Sequence, residues 1–232
     1  MLFLRQVAGD LFGLLFPELC NGCGTQILRG EEMICTSCLY DLPYTDFHLF
    51  SDNAVAKLFW GRIICGHAMA MLYFRKGSKV QQLIHRLKYK NQPGLGLLLG
   101  RLLGERLLAS GNYTDTELII PVPLHIRKER NRGYNQSKSI ADGVALVLGI
   151  PVADAQLIRH RETTSQTGKG RYHRFENMRS VFSVPHPENI NHKHILLVDD
   201  VVTTGSTLEA CGITLLNCGI RKLSIVAVAC TA

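Results

Sequence analysis

Residues 195–207, with the sequence ILLVDDVVTTGST, contain a short apolar run, two adjacent acids and a hydroxyl-rich loop around a glycine. The apolar run predicts a buried strand over Ile195–Val198, which brings Asp199 and Asp200 to its carboxyl end. Two neighbouring carboxylates can accept hydrogen bonds from a sugar 2,3-diol. The loop 203–207 predicts a turn into a helix whose first backbone amides bind an anion. Together these features describe a site for ribose 5-phosphate.

Apolar strands and helices alternate from about residue 63 onward. The pattern predicts strands at His67–Phe74, Glu117–Val122, Val181–Val184 and Leu223–Ala229, and helices at Val80–Tyr89, Leu95–Leu108, Ser137–Leu148 and Thr207–Cys218. Such alternation is typical of an α/β fold, in which a mainly parallel sheet is flanked by helices and binds ligands at the carboxyl ends of its strands. We therefore predict this fold for residues 61–232.

Residues 1–60 have an irregular pattern without alternating strands and helices, and they contain four of the eight cysteines. Cys20 and Cys23 form one CxxC pair, and Cys35 and Cys38 form a second, with eleven residues between the pairs. Four thiolates at this spacing predict a closed, tetrahedral and structural Zn²⁺ site. A redox pair or a metal-free remnant of such a site are the alternatives. The other four cysteines are predicted to be small core residues.

The N-terminal stretch 1–16 has the spacing of an amphipathic helix with one buried face, and attachment to a membrane surface is the alternative. It is interrupted by Arg5 and Asp10 and resembles neither a membrane span nor a secretory signal. We therefore expect no membrane insertion and a cytoplasmic location, where cysteines stay reduced.

The formal net charge of +7 is unevenly distributed along the chain. Three segments (75–90, 125–138 and 159–179) together carry +14, which leaves −7 on the rest of the chain. Segregated positive charge favours an anionic partner such as phosphate or nucleic acid, although solvated helix faces are the simpler explanation. The candidate nucleic-acid contacts are Lys88, Arg127, Lys128, Arg130, Arg132, Lys169, Arg171 and Arg174.

The stretch 195–207 closely resembles the signature with which type I phosphoribosyltransferases bind phosphoribosyl pyrophosphate (PRPP). The segment ELIIPVPL at 117–124 is similar to the strand and loop that hold pyrophosphate in that family, and 159–182 occupies the place of the loop that closes over PRPP. The resemblance implies Mg²⁺, which accompanies PRPP as a chelate, and catalytic roles for the two acids. It implies PRPP contacts from Asp199, Asp200, Val201, Thr203, Thr204, Gly205, Ser206, Thr207, Pro121, Val122 and Pro123.

The whole order of motifs resembles the competence protein F (ComF/GntX) family: the four cysteines, then HRLKYK at 85–90, then PVPLHIRKERNRGYNQS at 121–137, then the PRPP motif. This resemblance implies a type I phosphoribosyltransferase-like domain with an N-terminal zinc module that could serve as a hood. It also implies a role in natural transformation, with single-stranded DNA and proteins of the competence machinery as partners.

Three functions fit these expectations. The first is a protein that binds PRPP and single-stranded DNA during DNA uptake. The second is an active phosphoribosyltransferase that transfers phosphoribose to an unidentified acceptor and releases pyrophosphate. Thr203 weighs against general-base catalysis by such a transferase. Some phosphoribosyltransferases that use purines have a carboxylate at this position, near the base, and threonine cannot act as a general base at neutral pH. The third is a regulator whose affinity for DNA responds to PRPP.

Overall fold

Four parallel strands form the central sheet of the computed structural model, which describes residues 17–160 and 181–231. The strands are β1 (His67–Phe74), β2 (Leu118–Pro121), β5 (His194–Val202) and β6 (Lys222–Thr231), in the spatial order β1-β6-β5-β2. Two short strands, β3 (Ile158–Arg159) and β4 (Phe182–Ser183), form a separate antiparallel pair. The predicted parallel α/β fold is confirmed.

Helices cover both faces of the sheet. In chain order they are α1 (Thr36–Tyr40), α2 (Ala54–Lys57), α3 (Lys79–Tyr89), α4 (Pro93–Ser110), α5 (Ile126–Arg132), α6 (Gln136–Leu148) and α7 (Ser206–Leu216), with 3₁₀ turns at Phe47–Leu49 and Pro187–Asn189. None of the helices in these described ranges has the length and hydrophobicity that crossing a bilayer requires.

Side chains of β5 alternate between two hydrophobic clusters. Leu196 and Val198 pack with α3, α4 and α6, whereas Ile195 and Leu197 face the side covered by α2 and α7. This alternation follows from the two-residue period of a strand, and a strand buried on both faces has to be apolar throughout. The sheet is therefore the middle layer of three.

Helices α4 and α6 approach closely through glycines. A side chain at Gly100 would collide with the backbone of α6, and one at Gly143 would collide with the backbone of α4. Because neither residue has a Cβ atom, the two helices can pack backbone against backbone. This contact fixes the position of α6, whose first turn carries Ser137, a residue of the candidate site.

The structure adds α1, α2, α5 and β3 to the predicted elements and lengthens β5. Strand β5 continues to Val202 instead of ending at Val198, because its later residues still pair with β6. Helix α5 was not predicted, since it has no buried residue and therefore no apolar periodicity. Gly133 after its last turn is the sequence signal that marks its end, whereas His125 at its N-cap is not one of the usual capping residues.

The segment that contains the cysteines packs on the same core as the sheet. Cys20, Cys35 and Cys38 belong to the hydrophobic cluster that includes Met69 and Met71 of β1. The following residues cover the edge of β1, where the Thr45 amide donates to the Met71 carbonyl over 3.0 Å. The predicted boundary near residue 60 stays a prediction, and the predicted helix within 1–16 lies outside the described residues.

A buried histidine links the start of β5 to its surroundings. His194 is fully buried, with Nδ1 2.9 Å from Asp115 Oδ1 and Nε2 2.9 Å from Ser224 Oγ. Burial is the main cause of its lowered pKa, and the positive charge of Lys222 adds to the effect against the opposing charge of Asp115. Because Ser224 is also fully buried, this serine–histidine–aspartate arrangement is structural.

We expect the free energy of unfolding to fall as the pH drops below about 6.5, the ordinary histidine pKa. A folded-state pKa below that value means that the unfolded chain takes up the proton more readily, so stability is lost on acidification. His48 and His67 have lowered pKa values for the same main reason. In chemical denaturation between pH 7.5 and 5.5, His194→Gln should show a shallower pH dependence than the unaltered protein. An equal slope in both would contradict this account.

Candidate PRPP site and cysteine cluster

The two acids of the predicted site are neighbours in the second half of β5. Asp199 Oδ1 accepts hydrogen bonds from Ser137 Oγ at 2.9 Å and from the Asp200 amide at 2.8 Å. Asp200 is 8% exposed, and its Oδ2 is 3.0 Å from Lys88 Nζ. Helices α6 and α3 therefore each supply one partner to the acid pair.

Burial and the charge of Asp200 raise the pKa of Asp199 to about 7. Two carboxylates this close resist joint ionisation unless cations or donors compensate them. Ser137 and Lys88 partly do so. The two carboxyl groups can therefore accept hydrogen bonds from hydroxyl groups of a ligand or bind a cation.

The acids line a cleft of about 480 Å³ at the carboxyl end of the sheet. Thr203, Thr207, Val122 and Pro123 line the same cleft, so the segment after β2 and the loop after β5 meet around one space. Its basic lining residues are Lys88, Lys128, Arg132 and Arg159, together with His85. This volume is within the range of small-molecule sites.

The segment after β2 is rigidly held. Pro121, Val122 and Pro123 are buried, and the Val122 amide donates to the Val198 carbonyl over 2.9 Å. Asn135, the N-cap of α6, donates from Nδ2 to the Val122 carbonyl at 3.1 Å and accepts from the Ser137 amide at 3.0 Å. One asparagine therefore positions both this segment and the serine that holds Asp199. Neither Ser137 nor Asn135 was among the sequence-predicted site residues, although an asparagine shortly before a predicted helix is a typical N-cap.

The loop after β5 surrounds a second concavity of about 50 Å³, lined by Asp199 and residues 201–208. Thr203, Thr204, Ser206 and Thr207 are exposed, whereas Gly205 is buried with a φ of +74°. Helix α7 begins directly after this glycine, so its unpaired amides point toward the concavity. Exposed hydroxyls and free amides around a small space suit a phosphate group.

The back of this loop rests on residues from the segment before β1. A Cβ atom at Gly205 would lie 3.1 Å from the ring of Phe59. Arg62 donates through Nη1 to the carbonyl oxygens of Leu58 and Thr204, at 2.9 and 3.1 Å, and its Nη2 pairs with the buried Glu209 of α7. No local sequence pattern indicates this contact, because 142 residues separate Arg62 from Thr204.

The predicted basic residues are placed in different surroundings. Arg127, Lys128 and Arg130 are exposed on α5, and Arg132 is half-buried, with its guanidinium 5.5 Å from the ring of Tyr89. Lys88 lies inside the cleft against Asp200. Lys169, Arg171 and Arg174, like most of the predicted covering segment 159–182, lie outside the described residues.

The four cysteines of the predicted metal site come together as expected. Their sulfur atoms all lie within 4.8 Å of one another, and the Cys23 and Cys35 sulfurs are 3.7 Å apart. Tetrahedral Zn²⁺ with bonds of about 2.3 Å places its sulfur ligands about 3.8 Å apart. The amides of Gly22 and Cys35 point at Cys20 Sγ, at 3.3 and 3.2 Å, which favours its thiolate form. The cluster therefore fits a structural zinc ion.

Comparisons with known proteins agree with this site. The family model of the phosphoribosyl transferase domain matches residues 135–232, which include Ser137, both acids and the loop after β5. Competence protein F of Haemophilus influenzae is 30% identical over 214 residues, which cover 89% of this chain and 88% of that protein. The chain belongs to the competence protein F family.

Other members of the competence protein F family are similar over most of their length. The DNA utilization protein YhgH of Escherichia coli (strain K12) is 28% identical over 211 residues, which cover 89% of this chain and 88% of the relative. Competence protein ComFC of Streptococcus pneumoniae is 24% identical over 199 residues, covering 82% and 78% respectively. The similarity to these competence protein F relatives extends well beyond the 98 residues matched by the phosphoribosyl transferase domain.

Replacing Gly205 by alanine should destabilise the loop after β5 more than a left-handed backbone alone explains. Its φ of +74° costs a residue with a side chain about 1 kcal/mol, and the new Cβ atom also presses on Phe59. Gly111→Ala is the matched control, because Gly111 has a φ of +69° but open space around a Cβ atom. Urea denaturation should show the larger loss for Gly205→Ala. Equal losses would mean that Phe59 does not support the loop.

Proposed function

We propose that this protein binds PRPP with Mg²⁺ at the carboxyl end of its sheet and binds single-stranded DNA, in the uptake or use of DNA. One observation carries the PRPP part of the proposal. A pair of carboxylates, Asp199 and Asp200, adjoins a small concavity of hydroxyls and helix-start amides, which is the combination that a ribose 5-phosphate requires.

Each part of PRPP has a complementary group in the cleft. The acid pair would accept hydrogen bonds from the ribose hydroxyls, and residues 203–207 would hold the 5-phosphate. The pyrophosphate would lie near Pro121–Pro123, where Lys128 and Arg132 also line the cleft. Mg²⁺ prefers oxygen ligands and would bind together with the substrate phosphates rather than in a cage of protein groups.

Lys88 has a defined place in this proposal. Its ammonium group is 3.0 Å from Asp200, so it neutralises part of the acid pair before a ligand arrives. A hydroxyl or a magnesium-bound ligand that approaches Asp200 has to share the carboxylate with Lys88 or displace it. A role for Lys88 in the PRPP cleft therefore has more geometric support than a role on a nucleic-acid surface.

The DNA part of the proposal rests on charge and on the names of relatives. One relative is named a DNA utilization protein and two are named competence proteins. The net charge of +7 and the exposed basic side chains of α5 suit a polyanion that is recognised through its backbone. Proteins of the competence machinery are proposed as further partners.

Zinc at the four cysteines would stabilise the fold instead of taking part in chemistry. Four sulfur ligands leave no open position for water or substrate. Because Cys20, Cys35 and Cys38 share a hydrophobic cluster with the sheet, the metal would also stabilise the packing of the cysteine segment against β1.

Calorimetry with PRPP and Mg²⁺ tests the main proposal. Asp200→Asn is expected to weaken PRPP binding by about 10- to 100-fold, since a hydrogen bond to a charged group contributes about 1.5–3 kcal/mol. Asp52→Asn is the matched control, because Asp52 is an exposed acid paired with Lys57 far along the chain from the site. No binding heat from the unaltered protein, or equal affinity in both variants, would reject the PRPP site.

The variant Asp199→Asn tests the same site independently. It should also weaken PRPP binding, yet the thermal midpoint of the variant at pH 8 should exceed that of the unaltered protein. A raised carboxyl pKa favours the protonated group, so ionised Asp199 costs stability increasingly as the pH rises from about 4 through 7. A lower thermal midpoint of the variant at pH 8 would show that ionised Asp199 does not destabilise the folded protein.

Zinc content can be measured on the purified protein by elemental analysis. We expect about one zinc per chain, a loss of most of it in Cys38→Ser, and a lower thermal midpoint after chelation. Cys211→Ser, at a buried position in α7 far from the cluster in sequence, serves as the control and should retain zinc. Zinc-free protein of unchanged stability would contradict the structural role.

A further inference from the structure

Helix α3 forms a wall shared by two concavities. One is the PRPP cleft, and the other has a volume of about 760 Å³ and is not assigned a role by the proposal above. Gln81 and His85 line both of them. The side chains that line the second concavity are Gln81, Gln82, His85, Arg86, Lys90 and Gln92.

The chemistry of this lining excludes several kinds of ligand. It has no carboxylate among the described residues that form it, so it does not suit a metal ion or a cationic molecule. It also has no large apolar side chain, whereas pockets for small molecules are mostly apolar and enclosing. Amides, an imidazole and two cations around an open space suit an extended, polar anion.

An aromatic ridge runs along the exposed side of α3. His85 and Tyr89 are one helical turn apart, with ring centroids separated by 4.8 Å. Tyr89 is 62% exposed, and the Arg132 guanidinium lies 5.5 Å from its ring. Leu83 and Leu87 of the same helix are buried, so the helix is anchored, and the two exposed rings lie at the rim of the PRPP cleft, which both of them line. An exposed ring on a fixed helix can stack against an unpaired base.

A cationic ridge lies beside the aromatic one. Arg86 lies in the last turn of α3 and Lys90 directly follows the helix, four residues further on, which corresponds to a rise of about 6 Å. Arg86 Nη1 is 3.4 Å from Asn21 Oδ1, a neutral partner that leaves its charge available. Within residues 17–160 and 181–231, Lys90 has no ion-pair partner. The two side chains can therefore contact neighbouring phosphate groups.

We infer that single-stranded DNA binds along α3, with backbone phosphates at Arg86 and Lys90 and a base stacked on Tyr89. This inference rests on the DNA part of the proposed function and names the surface that carries it. It places the main contact on the helix next to the PRPP cleft and not on α5, which carries four of the eight sequence-predicted contacts. Parallel ridges of rings and cations match the alternation of bases and phosphates in a single strand.

Two double variants that remove the same charge distinguish the surfaces. Arg86→Gln with Lys90→Gln changes α3, and Arg127→Gln with Arg130→Gln changes α5. Binding of a fluorescein-labelled 20-nucleotide oligodeoxythymidine to the full chain is measured by fluorescence anisotropy at several salt concentrations. We expect the α3 pair to lose at least tenfold in affinity and the α5 pair about threefold or less.

The salt dependence of binding and a variant of the aromatic ridge test the α3 contact in two further, independent ways. Loss of two phosphate contacts should reduce the slope of log affinity against log salt by about 1.4 in the α3 pair. Tyr89→Leu should lose about tenfold in affinity with the slope unchanged, because stacking releases no counterions. Thermal melting of each variant verifies that it is folded, which matters for Arg86 because it contacts Asn21.

Each outcome decides between the proposals. An equal or larger loss in the α5 pair, or no loss in the α3 pair, overturns the inference. Absence of any DNA binding by the unaltered protein overturns it together with the DNA part of the proposed function. Calorimetry on the same preparations should show PRPP affinity unchanged in the α3 pair, since neither residue lines the PRPP cleft. If PRPP does not bind but the DNA pattern holds, only the PRPP proposal fails.

Discussion

The close pairing of Asp199 and Asp200 is the constraint on which the site depends. Two carboxylates at the end of a strand buried on both faces repel each other and lose hydration, which raises the pKa of Asp199 to about 7. The surrounding elements provide the compensation: Ser137 from α6 donates to one acid, and Lys88 from α3 pairs with the other. The positions of these two helices, and the close glycine contact between α4 and α6, are thereby linked to the site.

A second constraint concerns the loop that follows the acids. A backbone that turns directly from strand to helix exposes its amides and leaves them without partners. Phe59 lies under Gly205, and Arg62 holds the Thr204 carbonyl while it pairs with Glu209 in the first turn of α7. The segment before β1 therefore keeps the loop in place from behind, while the hydroxyls on the other side of the loop stay exposed.

Residues 20–59 thus contact the core on both faces of the sheet and also pair with one of its edges. The cysteine cluster shares a core with β1, α3 and α4 on one face, whereas Phe59 packs with α7 on the other. Residues between them pair with the exposed edge of β1, which removes an unpaired strand edge. A metal at the cysteines would therefore act on the same hydrophobic core that supports helix α3.

Local sequence alone predicted β4 and the four strands of the central sheet, the helices α3, α4, α6 and α7, the acid pair, the turn at Gly205 and the cysteine spacing, because each depends on neighbours a few residues away. It did not reveal helix α5, which lacks an apolar face, nor the extension of β5, which depends on pairing with β6. Only the tertiary structure decided that Lys88 faces Asp200, that Arg62 supports a loop 142 residues away, and that the Arg132 guanidinium lies near the Tyr89 ring. The physical reason is that ion pairs and packing contacts form between residues brought together by the sheet order, which no local pattern encodes.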